Sequence, residues 1–224
     1  MRVGIVGAGN VGQTLGGRLA ARHAVKYGCR DPRKHADVDA AVVADAVGWA
    51  EVVILATPGF RTPAAAAALA HSLGPGVEGK VVIDATNPLS AWPQLEVLWS
   101  GASAGEMLQE ALPSAYVFKA FNTIGFEHMA APRGDAVFGG AAVAAERGPI
   151  TMLFAGAPER KDAVAEVITD VGFDPRYVGP IRYARNLEAL AELWIHTGIG
   201  GAGLNPGVEW GRGFAFQVVG GHGA

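Results

Sequence analysis

Up to about residue 122, short unbroken runs rich in Val and Ile alternate with longer alanine-rich stretches. The runs predict strands at Arg2–Val6, 24–28, 40–43, 52–56, 80–85 and 115–120. The longer stretches predict helices at 10–22, 36–39, Pro63–Leu73 and 103–112. Strands that are apolar at every position have both faces covered, and strand–helix repetition makes them parallel. Beyond Asn122 the rhythm loosens. Residues 125–147 hold Pro132, Gly134 and Gly139-Gly140, and predict a loop with a short apolar helix. Residues 150–155, 159–171 and 174–178 repeat a strand–helix–strand unit, with Pro158 suited to the start of its helix and Gly172 to the end. Residues 185–196 have a helical period. Leu187, Leu190 and Trp194 share one stripe, with Leu193 beside it, and read as core or interface. A short apolar strand is expected at 214–219.

The fold class is therefore α/β: a doubly wound parallel sheet with a small C-terminal α/β segment. The division expected is 1–149 and 150–224. Too few residues follow the sixth strand for a large separate substrate domain. A second pocket is expected between the sheet's carboxyl edge, the C-terminal segment and a partner chain.

Composition narrows the function classes. Half of the 224 residues are hydrophobic and 17% are charged, enough for a sizeable core and against disorder. Eighteen Lys and Arg against 21 Asp and Glu give a net charge of -3, unlike the basic balance of a nucleic-acid binder. One cysteine cannot form an internal disulfide or a thiolate zinc cage. No apolar run is long enough for a membrane helix, and glycines break the N-terminal apolar stretch where a leader would need continuity. A cytoplasmic protein is expected. The 32 glycines follow no Gly-X-Y period and suggest tight strand-to-helix connections.

Gly7-Ala8-Gly9-Asn10-Val11-Gly12 carries the first chemistry. It directly follows the first strand and opens the first helix, the context of a Rossmann-type dinucleotide site. Gly7 permits the tight turn, Gly9 lets a pyrophosphate approach the backbone, and Gly12 lets helix pack on strand. The helix N-terminus, with Asn10 and Val11, offers unpaired N–H groups and a positive dipole to the anion. Gly198–Gly203 fits the same spacing, but it follows a helix and runs into Asn205-Pro206, so it reads as a loop.

The end of the second strand distinguishes the two pyridine nucleotides. An NAD site would place an acid there for the ribose 2′-hydroxyl. This chain has Cys29-Arg30-Asp31-Pro32-Arg33-Lys34 instead. Arg30 can stack on adenine while its donors reach a 2′-phosphate; Arg33 and Lys34 add charge. Asp31 would repel that phosphate and is expected to point outward. NADP is the expected cofactor. Thr57-Pro58, Asn87-Pro88 and Asn122-Thr123 close three further strands. Ligands of open α/β sheets bind beyond such ends, so these residues read as a cradle for ribose and nicotinamide, or else as turn caps. The six histidines show no ligand spacing, and no metal site is expected. There is no G-x-S-x-G elbow and no Cys–His pair. Hydride transfer between two rings needs none of these, only positioning and exclusion of water.

Taken together, Gly7–Gly12, Arg30 with Lys34, Asn87-Pro88, the run from Lys119 to Ile124 and the helix ending Leu193-Trp194-Ile195-His196 resemble the coenzyme F420-dependent NADP oxidoreductase family. The resemblance spans nearly the whole chain, and its most specific part is Lys119-Ala120-Phe121-Asn122-Thr123-Ile124. It implies a Rossmann domain at 1–149 and a small C-terminal domain at 150–224 that holds the second-substrate pocket and a dimer contact. The implied chemistry is reversible hydride transfer between NADPH and a deazaflavin (coenzyme F420), with a flavin as the other possible acceptor. Gly9 and Asn10 would line the pyrophosphate, Arg30 and Lys34 the 2′-phosphate. Thr123, Trp194 and His196 are the candidates for the second substrate, with His196 equally readable as a histidine at a dimer contact. Cys29 stands where a small hydroxyl residue would suit the phosphate better.

Two other readings remain open at this level. In a dehydrogenase of a small hydroxy acid or imine, Lys119 would be the acid/base and Asn122 would orient a carbonyl. The residues favour the plainer role for Lys119, closing a strand against a carboxylate. A non-catalytic NADP-binding sensor would use the same cofactor motifs.

Overall fold

The computed structural model describes residues 1–99, 101–132, 148–204 and 207–220. The expectations that rest on Gly134, Gly139-Gly140, Asn205-Pro206 and His222 lie outside these residues. In chain order the elements are β1 (Arg2–Val6), α1 (Asn10–Leu19), β2 (Ala24–Cys29), β3 (Ala40–Val42), α2 (Val43–Trp49), β4 (Val52–Leu55), α3 (Pro63–Leu73) and β5 (Val81–Asp84). They continue with α4 (Ala104–Ala111), β6 (Tyr116–Lys119), α5 (Phe126–Ala130), β7 (Thr151–Gly156), α6 (Lys161–Val171), β8 (Asp174–Gly179) and α7 (Ala184–Gly198).

The strands form one Rossmann-type sheet in the order β3-β2-β1-β4-β5-β6-β7-β8. The first six run parallel, and β7 joins β6 antiparallel before pairing in parallel with β8. The sheet thus continues across the boundary expected at 149/150. The strand order reverses between β1 and β4, and the crevice beyond their carboxyl ends is where such sheets hold ligands. Two cores flank the sheet. One, with Ile5, Leu15, Phe118 and Phe154, packs α1 and α6; the other, with Leu55, Val82, Leu108 and Val117, packs α2, α3 and α4.

Three local expectations are corrected. No helix forms at 36–39; the helical turn lies earlier, at Pro32–Lys34, where Pro32 fixes φ at its first position. The apolar residues from Val43 to Trp49 form α2 rather than prolonging a strand, because Ala46 and Val47 bury on the sheet. Residues 214–219 form no strand. Phe214 stacks on Trp194 at 5.6 Å, and the side chain of Gln217 takes the Thr151 N–H (2.9 Å) in place of a ladder.

Candidate functional site

The loop from Gly7 to Gly12 has the geometry its spacing requires. Gly7 sits at φ +107°, and a Cβ there would lie 2.5 Å from the Ala56 carbonyl oxygen. A Cβ on Gly12 would lie 2.0 Å from the Gly7 carbonyl oxygen, so α1 packs too closely for any side chain there. Gly9 differs: nothing lies within 4 Å of its would-be Cβ. Gly9 caps α1 without a side-chain hydrogen bond, no acidic residue occupies the first turn, and Gly9 and Asn10 are exposed. The first N–H groups and the helix dipole are therefore available to an anion, with open space before them, and the residues present fit a pyrophosphate.

Beside this loop, β2 ends at buried Cys29, whose thiol burial pushes up, and the chain turns outward. Arg33 is taken by Asp31, Nε to Oδ1 at 2.9 Å, in an exposed pair. Arg30 and Lys34 are exposed, with no side-chain partner among the described residues. Two cations thus remain unneutralised at the position where a 2′-phosphate would distinguish the nucleotides. At the end of β4, Thr57 Oγ1 is buried without a protein partner, while Pro58 is exposed.

Asn87 and Asn122 meet. Asn122 Nδ2 donates to Asn87 Oδ1 (3.0 Å) and to the Leu187 carbonyl (2.9 Å), and Asn87 Nδ2 donates to the Asn122 carbonyl (2.9 Å). Asn122 Oδ1 and Thr86 Oγ1 are left buried and unpartnered. Every residue from Val117 to Gly125 is buried, including Thr123, and the chain turns there because Phe121 takes a left-handed φ of +63°. A non-glycine residue is strained in that region and persists only where packing enforces it. Here the ring packs against Phe173 and the N–H reaches Met152 Sδ.

Lys119 lies among charges rather than in a cleft. Its ammonium is 2.8 Å from Asp84 Oδ2 and 3.2 Å from Glu188 Oε1, and all three side chains are 0% exposed. Burial pulls the ammonium towards neutrality, but the two carboxylates outweigh it and hold its pKa above the ordinary lysine value. Glu188 also accepts from Trp99 Nε1 (2.8 Å) and from the Ala104 and Gly105 N–H groups at the start of α4 (both 3.1 Å). Asp84, Thr86 and Glu188 were not singled out from the sequence. Their signal was present: Asp84 closes an apolar strand next to the one that Lys119 closes, and Glu188 interrupts the buried stripe Ala184, Leu187 and Ala191.

The candidates on α7 diverge. Trp194 is buried against the C-terminal segment, donating to the Phe214 carbonyl (2.9 Å) beneath the Arg212 guanidinium. His196 faces the other way, hydrogen-bonded to the Leu95 carbonyl (3.1 Å) in the loop after Asn87-Pro88. Thr123, Trp194 and His196 are all buried in protein contacts. Among the described residues no group of three or more His, Cys, Asp or Glu could hold a metal ion, and no helix is long and apolar enough to cross a membrane.

Comparison with known proteins places this geometry. Residues 2–88, from β1 through Asn87-Pro88, match the family described as NADP oxidoreductase, coenzyme F420-dependent. Over those residues the chain is similar to that family. A solved structure of a candidate F420-dependent NADP-reductase from an Arthrobacter species is 27% identical, with a TM-score of 0.76 over 98% of this chain and 99% of that one. Rat metalloreductase STEAP3 is 29% identical over 84% of this chain, which spans only 36% of that relative. An imine reductase from Aspergillus terreus, solved in complex with NADPH4 and dibenz[c,e]azepine, shares the fold at 17% identity and a TM-score of 0.59, over 86% of this chain and 60% of that one. The stretch that matches, residues 2–88, contains both the glycine loop and the cation pair after β2.

Proposed function

We propose that the protein transfers hydride between NADPH and a deazaflavin of the coenzyme F420 type, with a flavin as the alternative acceptor of the same ring chemistry. The observation that carries the reading is the contrast between the two cation sites. Arg30 and Lys34 are exposed and unpaired where a 2′-phosphate would lie, whereas Lys119, the candidate acid/base, is sealed between two carboxylates. When bound, NADPH supplies the hydride from its nicotinamide ring. The first turn of α1 holds the pyrophosphate, Arg30 and Lys34 hold the 2′-phosphate, and Thr57, Asn87 and Asn122 orient the ribose and nicotinamide end. Sealed in this way, Lys119 does not serve the carbonyl chemistry of a hydroxy-acid or imine dehydrogenase, while ring-to-ring transfer needs alignment at about 3–3.5 Å and little else. The whole-length likeness to the Arthrobacter protein supports a deazaflavin as acceptor. In this reading residues 150–224 bound the acceptor pocket and pair two copies of a cytoplasmic chain.

The test mixes protein and NADPH anaerobically with F420, FMN, a cyclic imine, an oxo acid or a ferric chelate, and follows nicotinamide absorbance and fluorescence. Turnover with F420 or FMN is expected. Turnover confined to the imine or oxo acid would overturn the reading, and binding without any turnover would leave a sensor.

A further inference from the structure

Glu188 occupies an unusual position for a helix residue. Its side chain is 0% exposed, yet it receives Lys119 Nζ, the Trp99 indole N–H and two backbone N–H groups at the head of α4. It therefore ties α7, α4, the end of β6 and the loop following Asn87-Pro88 at one point. The Asn87–Asn122 amide pair is bracketed by the same network. Asp84 Oδ1 accepts from the Thr86 N–H (2.9 Å), one residue before Asn87, and Asn122 donates to the carbonyl of Leu187, one residue before Glu188. Lys119 joins the two acids and stands three residues before Asn122. Because Asn122 Nδ2 spends both hydrogens, Oδ1 is fixed as a buried acceptor without a partner, beside the unpartnered Thr86 hydroxyl at the end of the neighbouring strand.

Three ionised groups at zero exposure are a costly way to fill space; well-packed apolar side chains would do it as well or better. What charges with fixed hydrogen-bond directions add is orientation. We infer that Glu188, acting through Lys119 and Asp84, is a positioning residue: it holds the Asn87–Asn122 pair rigid at the carboxyl edge of the sheet for hydride transfer. This rests on the hydride-transfer reading above. The network lies at β5, β6 and α7, whereas the proposed pyrophosphate and 2′-phosphate contacts lie at α1 and after β2, so the two are separable.

The experiment uses the full chain carrying Asp84→Asn, Lys119→Met and Glu188→Gln together, which leaves no lone buried ion. Three quantities are read: side-chain amide hydrogen exchange of Asn87 and Asn122 by NMR without ligand, the NADPH dissociation constant by fluorescence, and kcat with F420 or FMN. Amide exchange about tenfold faster, NADPH affinity within about threefold, and kcat lower by about ten- to a hundredfold are expected. Exchange that does not quicken, kcat that does not fall with it, or affinity lost in step with kcat would overturn the inference. If the triple variant does not fold, Glu188→Asp, which keeps the charge but retracts the carboxylate, is judged by the same measurements and the same directions. If the wild-type chain transfers no hydride to any acceptor, the functional reading fails, while amide exchange still decides whether the network holds the pair.

Discussion

Replacing Lys119 by methionine keeps most of the length of the side chain and removes the ammonium with its charge and donors, so the consequence can be worked from the surroundings. Asp84 and Glu188 would then share a site of zero exposure with no cation between them. Thr86 N–H still serves Asp84, and Trp99 with the head of α4 still serves Glu188, so neither acid is stripped of donors. Breaking a buried ion pair of this kind costs about 3–5 kcal/mol, and at roughly 2–4 °C per kcal/mol for a chain of this size the melting temperature falls by about 6–20 °C. Adding Asp84→Asn and Glu188→Gln recovers most of the loss. Thermal and urea melts followed by circular dichroism at pH 7 read wild type and both variants. A Lys119→Met protein that melts within about 2 °C of wild type at pH 7 would refute the argument, since by the same scale the loss would then be under about 1 kcal/mol.

Arg30→Ala raises the NADPH dissociation constant about ten- to a hundredfold in a fluorescence titration and leaves NADH nearly unchanged, because the lost contact is a charged hydrogen bond to the 2′-phosphate. Arg33→Ala has the smaller effect, since Asp31 already occupies that guanidinium; equal losses for both nucleotides would show the phosphate is held elsewhere. Gly17, exposed in α1 with nothing within 4 Å of its would-be Cβ, tolerates alanine and gains about 0.5–1 kcal/mol in urea melts, whereas Gly12→Ala abolishes NADPH binding by driving α1 off the Gly7 carbonyl. Glu106 carries a pH dependence. Burial alone would raise its pKa, but the bidentate Arg185 pair and the Ser103 cap outweigh that and hold it at about 2. Its contribution is complete above the ordinary value of 4.5 and is lost as pH falls towards 2. Arg185→Met accordingly destabilises the chain more at pH 7 than at pH 2.5, and an equal shift at both would count against the pair.

How much was legible in the sequence followed from the range of the forces involved. The parallel sheet, the glycine loop and the cation turn after β2 were readable because each is written in consecutive residues: period, tight turns and local charge need no distant partner. The helical turn at Pro32–Lys34, the helix from Val43 and the absence of a strand at 214–219 were missed because neighbouring elements overrode weak local preference. The eight-stranded continuity through an antiparallel β7 depends on strand pairing far apart along the chain. So does the meeting of Asp84 with Lys119 and Glu188, 35 and 104 positions further on. Charge at such separation cannot be read by pattern, since an acid closing a strand and an acid on a helix stripe look alike whether solvated or sealed. Sequence alone pointed to the proposed phosphate sites; only the tertiary structure showed that Lys119 is sealed between two carboxylates, because burial and its partners, not residue type, set what a charged group can do.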